Sequence, residues 1–257
     1  MKKTATEQYL KMLINSNIVI SSTIIRFISS SIIRNITKPS SRFMVSSIIR
    51  AFNDSINCNG KISNHIISMD GMSGKKYRYF INNLILLIPN VNYMEIGSWK
   101  GSTLCSAMYG NTLNAVAIDN WSQFGNPVTE FLENIKYAIT SNTNLKVIEQ
   151  DYRNVDYSYF SNKINIFFYD GPHSMQDQYD AVALTIDAMD NEFIFIVDDW
   201  NLKDVRDGTL SAIANLGLNI VFSIEIYTTI DDSLSEINSQ HSDWHNGYYI
   251  SVLEKHI

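Results

Sequence analysis

From Tyr93 onward the chain alternates short apolar runs, rich in β-branched and aromatic residues, with segments of helical spacing, and few folds accommodate that alternation. Strands are expected near 92–97, 114–119, 145–150, 164–170 and 193–199, and helices near 101–109, 128–140, 174–188 and 203–215. Parallel strands need long crossovers, which the intervening helices supply. The last two apolar runs, "LNIVFSIEIYTT" and "GYYISVLEKH", have no helix of crossover length between them. They are expected to form a hairpin-like antiparallel pair at the sheet edge. The fold class is therefore α/β, mostly parallel with an antiparallel last strand.

Residues 1–60 differ in charge from the rest. They hold eight basic residues (Lys2, Lys3, Lys11, Arg26, Arg34, Lys38, Arg42, Arg50) against Glu7 and Asp54, whereas residues 61–257 hold 12 basic and 24 acidic ones. A main domain of that sign does not suit nucleic acid or another polyanion. Ile25, Ile28, Ile32, Ile33 and Ile36 recur at helical spacing, and after Pro39 so do Met44, Ile48, Ala51 and Phe52, which predicts two basic amphipathic helices. Such an extension fits a cap on the main domain or across a homo-oligomer, peripheral contact with a membrane surface, or a removable organellar targeting segment. Its apolar run is interrupted by Arg26, Arg34 and serines and is too broken to span a bilayer. The turn-rich "NCNGKISN" marks the expected boundary near residue 60. With no secretory signal, and with Cys58 and Cys105 too few for a disulfide framework, a reducing, cytoplasmic setting is expected.

The segment "NYMEIGSWKGST" runs from a strand through Gly97 and Gly101 to a helix start at Ser102 and Thr103. Glycine at 97 lets a ligand approach the backbone, and amides beyond Gly101 offer donors to an anionic group. Trp99 stands where a dinucleotide loop wants its middle glycine, so a smaller ligand is favoured over a pyrophosphate. Asp119 ends the second strand, where an acid can accept both hydroxyls of a ribose. Trp121 and Phe124 can wall an adenine or serve as core, and Asp151, after the third strand, can accept from an adenine amino group.

"EIGSWKGST" together with "AIDNW" resembles the first two motifs of class I S-adenosylmethionine (SAM)-dependent methyltransferases. The resemblance implies a Rossmann-like sheet, with Glu95, Gly97, Ser98, Gly101 and Ser102 around the methionine part of SAM. It also implies Asp119, with Asn120 and Trp121 beside it, at the ribose. Trp99 departs from the commonest glycine pattern, and this single-glycine spacing resembles the macrocin O-methyltransferase-like branch.

"INIFFYDGPHS" ends the fourth strand in Asp170, and "FIFIVDDWN" ends the fifth in Asp198 and Asp199. Adjacent parallel strands share one crevice at their carboxyl ends, so these three acids are expected to converge there. Carboxylates brought together need compensation, and an all-oxygen set points to Mg2+ or Mn2+. The same Asp170, Asp198 and Asp199 positions match the metal ligands of metal-dependent sugar O-methyltransferases. The alternative is that Asp198 caps the next helix while Asp199 pairs with Arg206 or a lysine. His173, three residues past Asp170, is the candidate general base. In the resembled enzymes an acid two residues after the first metal ligand tends to hold that role, and Pro172 stands there instead. His241, Trp244 and His245 are candidates to line an acceptor pocket.

The expected activity is thus metal-assisted transfer of a methyl group to a hydroxyl of a sugar, a glycan or a glycosylated small molecule. A metal-dependent glycosyltransferase and a non-catalytic, membrane-associated scaffold are the alternatives.

Overall fold

The computed structural model describes residues 17–20, 23–28, 36, 38–161 and 163–256. After an amino-terminal pair, β1 (Asn17–Ile20) and β2 (Thr23–Ile28), come three helices, α1 (Pro39–Ile56), α2 (Asn64–Ile67) and α3 (Lys75–Leu87). The chain then alternates: β3 (Asn92–Ile96), α4 (Ser102–Met108), β4 (Leu113–Asp119), α5 (Val128–Ile135), β5 (Thr143–Glu149), β6 (Ile164–Tyr169), α6 (Met175–Thr185), β7 (Met189–Asp198) and α7 (Lys203–Asn215). It closes with β8 (Asn219–Tyr227) and β9 (Tyr248–Glu254).

Among the described residues these strands form one sheet in the order β1-β2-β8-β9-β7-β6-β3-β4-β5. The run β5-β4-β3-β6-β7 is parallel, as the alternation requires. β9 lies antiparallel between β7 and β8, so the closing pair is antiparallel as expected, but it is not the edge. From β3 the chain winds outward to β4 and β5, then returns to place β6 on the other side of β3. The carboxyl ends of β3 and β6 therefore form the switch point at which open α/β sheets bind ligands.

Side chains alternate between two cores. Tyr93, Ala117, Phe168, Ile196 and Ile250 point to the face covered by α1, α3 and α4, and Ile96, Ile118, Phe167, Val197 and Tyr249 to the other. α1 begins with Pro39 in its first turn, where a missing amide costs nothing. Its Val45, Ile48 and Phe52 join the same core as Tyr77, Phe80 and Leu84 of α3, so the expected boundary near residue 60 falls inside one packed layer.

The extension departs from the expected pair of helices. The second is present as α1, but residues 17–20 and 23–28 are strands, with β2 antiparallel to β8. Ile18, Val19, Ile20, Thr23, Ile24 and Ile25 are all β-branched, and β8 offers an open edge, so strand addition wins over helical spacing. Ile32 and Ile33 of the expected first helix lie outside the described residues. No described helix is long and apolar enough to cross a membrane.

Candidate active site

Strand register places the key residues on one line. The pairings Ile96↔Ile118, Ile96↔Tyr169, Tyr169↔Val197 and Asp198↔Tyr248 set Asp119, Gly97, Asp170, Asp198 and Tyr248 in a single cross-strand row. The row lies at the carboxyl edge and, by alternation, on the face of Glu95 and Tyr93. Gly97 has a φ of +90°, and a Cβ there would collide with the Asp170 carbonyl oxygen. Only glycine lets β3 and β6 meet at the switch point with backbone open to a ligand.

The loop after β3 is locked to the end of β4. One Asp119 oxygen accepts from the Trp99 amide at 2.7 Å and the other from the Trp121 amide at 2.7 Å. Trp121 Nε1 in turn donates to the Trp99 carbonyl at 2.7 Å. Each carboxylate oxygen keeps a second lone pair, so Asp119 can still accept ribose hydroxyls while holding the loop. Gly101, at φ +79°, begins α4, and a Cβ there would press to 2.9 Å from Phe131. Glu95 is fully buried; Tyr93 donates to its Oε2 at 2.6 Å, and Oε1 has no partner among the described residues. Burial pushes its carboxyl up to about 7, against the Tyr93 bond that pulls it down. Trp99 Nε1 is likewise buried and unpartnered among the described residues. An unpaired carboxyl oxygen, an unpaired donor and a glycine cradle on one loop fit the polar amino-acid end of SAM.

The second half of the crevice holds the remaining acids. His173 Nε2 lies 2.9 Å from Asp199 Oδ2, and Asn246 Nδ2 donates to Asp199 Oδ1 at 2.6 Å. Asp199 adopts a φ of +56°, a strained conformation for a non-glycine residue, and so turns away from the β7 line toward His173. Burial would raise the Asp199 carboxyl, but the His173 bond and charge, with help from His245 and Asn246, hold it below the usual range. Burial would lower His173, yet the Asp199 bond and charge prevail and raise it. Asp170 is pushed well above its usual range by burial and then by the charges of Asp198 and Asp199. Burial, and next Asp199, does the same to Asp198, whose Oδ1 accepts the Asp199 amide at 2.7 Å while Oδ2 has no partner among the described residues.

The three acids meet at the strand ends, where Asp198 and Asp199 both act on Asp170, but not as a single set of ligand atoms. Asp170, His173 and Asp199 have ligand atoms mutually within 4.8 Å, as do Asp198, Asp199 and His245, but Asp170 and Asp198 share no such set. Two carboxylates and an imidazole fit a divalent cation, and the nitrogen favours a transition metal such as Mn2+ over Mg2+. In the second set, His245 Nδ1 accepts from the Ser239 amide at 2.8 Å, and Nε2 lies 3.1 Å from Asn246 Nδ2. The helix-cap alternative is absent: α7 has no side-chain cap, and Arg206 binds the Trp200 and Asn201 carbonyls and Asp232.

Other expected residues take other places. Trp121 is buried against Phe131, with centroids 5.0 Å apart. Phe124 is exposed and meets Trp99 edge-on at 6.4 Å. Asn120 accepts from the Ser122 amide at 3.0 Å in a local turn. Asp151 accepts from the Arg153 amide at 2.9 Å and pairs with its guanidinium, and so caps a turn beyond β5. Ser98 and Ser102 are buried in and beside the loop, and Ser102 Oγ lies 3.1 Å from Ser73 Oγ. Trp244 is core, stacked on Phe52 at 5.5 Å, and His241 is exposed. Sequence reasoning missed Asn246, Tyr77 and Tyr248. Tyr248 was within reach, because the antiparallel pairing of β9 with β7 puts it opposite Asp198.

The sheet order with its antiparallel β9, the glycine loop at the switch point and the acid ending the next strand make up a Rossmann-like methyltransferase sheet. Residues 94–200, from within β3 to just beyond β7, match the family described as "Methyltransferase domain". No curated protein matches the chain. Similar solved structures include the O-methyltransferase from Bacillus cereus in complex with SAH, at 11% identity over 86% of this chain and 93% of that one, with a TM-score of 0.45. Cofactor-bound Rv0187 from MTB is similar at 10% identity over 86% and 93% of the two chains, with a TM-score of 0.47.

Proposed function

We propose that this protein transfers the methyl group of SAM to a hydroxyl of a sugar, glycan or glycosylated small molecule, with His173 as the general base. The observation that carries this reading is the His173–Asp199 contact beside Asp170, at the crevice that also holds Glu95 and Asp119. SAM, when bound, supplies an electrophilic methyl on a sulfonium that leaves as a neutral thioether. Glu95 and the loop to Gly101 would hold its amino-acid end and Asp119 its ribose. Asp199 fixes the proton of neutral His173 on Nε2, which leaves Nδ1 to take the proton from the acceptor hydroxyl as its oxygen gains carbon. Alignment in such a crevice can supply about 7 to 11 kcal/mol, and proton removal a further factor of about 10² to 10⁴. With no electrostatic partner for nucleic acid on the acidic main domain, a small or glycan acceptor remains the fit.

A second reading follows from the clustering of Asp170, His173 and Asp199. There the three would hold a divalent cation, which lowers the pKa of a coordinated hydroxyl, and His173 would be a ligand instead of the base. A radiolabelled methyl-transfer screen over deoxysugars and glycans, with and without chelator, tests both. Transfer that survives chelation supports the base, transfer lost on chelation supports the metal, and no transfer to any hydroxyl acceptor overturns the O-methyl assignment.

A further inference from the structure

Tyr77, near the start of α3, is fully buried, and its ring is fixed on all sides. It stacks on Tyr248 with centroids 3.9 Å apart and planes 7° from parallel, and tilts against Phe80 and Phe168 at 6.0 and 5.5 Å. Tyr248 belongs to the carboxyl-edge row, opposite Asp198, and its hydroxyl accepts from the Gly74 amide at 3.4 Å. The Tyr77 hydroxyl, by contrast, has no hydrogen-bond partner among the described residues. Phenylalanine would bury the same ring without that cost, so packing does not account for the hydroxyl.

Its neighbours indicate what would. Its ring packs on Phe168, which pairs in register with Glu95, and on Tyr248, which pairs with Asp198, so α3 sets Tyr77 over the strand ends that carry those acids. Both acids also present a buried oxygen without a partner among the described residues, Glu95 Oε1 and Asp198 Oδ2. Unsatisfied atoms from α3, β3 and β7 thus lie on one face of the sheet toward its carboxyl edge, one of them a donor and the others acceptors. Acceptors in excess, with two aromatic rings alongside, complement a positive group and repel an anion.

We propose that Tyr77, packed on Tyr248 beside the carboxyls of Glu95, Asp170 and Asp198, recognises the positive sulfonium of SAM, so that the charged donor binds in preference to its neutral thioether product. This rests on the methyl-transfer reading above. Glu95 marks the cofactor end of the crevice and Asp170 and Asp198 the acceptor end, and the sulfur must lie between them for its methyl to pass across. Transfer breaks the S–CH3 bond and returns its electron pair to sulfur, which removes the charge this site recognises and loosens the product. Tyr77 is thereby a specificity-determining residue.

The test is calorimetric titration of the full chain with three ligands: SAM, S-adenosylhomocysteine, and sinefungin, whose amino group carries a charge near the position of the sulfonium methyl. The wild-type protein should bind SAM and sinefungin more tightly than S-adenosylhomocysteine. Tyr77→Phe should reduce that preference about two- to fivefold, with S-adenosylhomocysteine affinity unchanged. Should Tyr77→Phe not fold, Asp198→Asn removes one of the acids and carries the same expectation. An unchanged preference, or an equal loss for all three ligands, would overturn the inference. A wild-type chain that binds none of them would overturn the methyl-transfer reading and this inference with it.

Discussion

His173 Nε2 lies 2.9 Å from Asp199 Oδ2, and this contact joins the loop after β6 to the turn after β7 across the carboxyl edge of the sheet. His173 is partly exposed and Asp199 is buried, so the acid orients the imidazole from its buried side. The left-handed backbone at Asp199 is what brings its carboxyl off the strand line to that position.

Replacing His173 with alanine is expected to lower the methyl-transfer rate by a factor of about 10² to 10⁴, and Asp199→Asn by less. Neither should change the Kd for SAM more than about twofold, because the cofactor half of the crevice is held by other residues. Single-turnover kinetics alongside calorimetry checks both; a weakened Kd with an unchanged rate would contradict the assignment.

Glu95 makes stability depend on pH. Its folded-state pKa of about 7 lies above the ordinary 4.5, so burial favours the protonated form. That contribution is complete below pH 4.5 and is lost as pH rises through 7. The loss amounts to about 3 kcal/mol at 1.36 kcal/mol per unit. Glu95→Gln should flatten the stability profile across that window in denaturant titrations, and an equally steep profile in the variant would contradict the burial argument.

Gly97→Ala introduces a side chain at φ +90°, where it meets the Asp170 carbonyl. The backbone strain alone should cost about 1 to 3 kcal/mol, and displacement of β3 from β6 adds to it. Thermal unfolding should register the loss, and SAM affinity should fall along with it.

Asp119→Ala removes the acceptor of two backbone amides as well as the expected ribose ligand. A loss of about 2 to 4 kcal/mol in stability is expected from those bonds to a charged group. SAM affinity should drop at least tenfold, and a variant that loses stability but binds SAM as before would leave Asp119 a purely structural role.

The parallel sheet, its helices and the acids at the strand ends were legible in the sequence because each strand is a short apolar run closed by Gly97, Asp119, Asp170 or Asp198. The amino-terminal hairpin was not, since isoleucine at helical spacing and isoleucine in a β-branched run are the same letters, and the open edge of β8 decided between them. The grouping of the acids was also out of reach. It depends on the positive φ at Asp199, which sends that carboxyl to His173 and leaves Asp198 on the strand line. Asn246 escaped notice for a similar reason: nothing local marks an asparagine before β9 as the partner of an aspartate after β7. Trp121 read equally well as stacking surface or core; its ring is buried against Phe131.

If the proposed methyl transfer holds, the row of Asp119, Gly97, Asp170 and Asp198 carries the cofactor on one side and the reacting groups on the other. A crystal structure of the complex with S-adenosylhomocysteine tests it most directly. The ribose is expected on Asp119, the amino-acid end beside Glu95, and the sulfur over Gly97 directed toward Asp170 and His173. A ribose bound away from Asp119, or a sulfur turned from the Asp170 side, would contradict it.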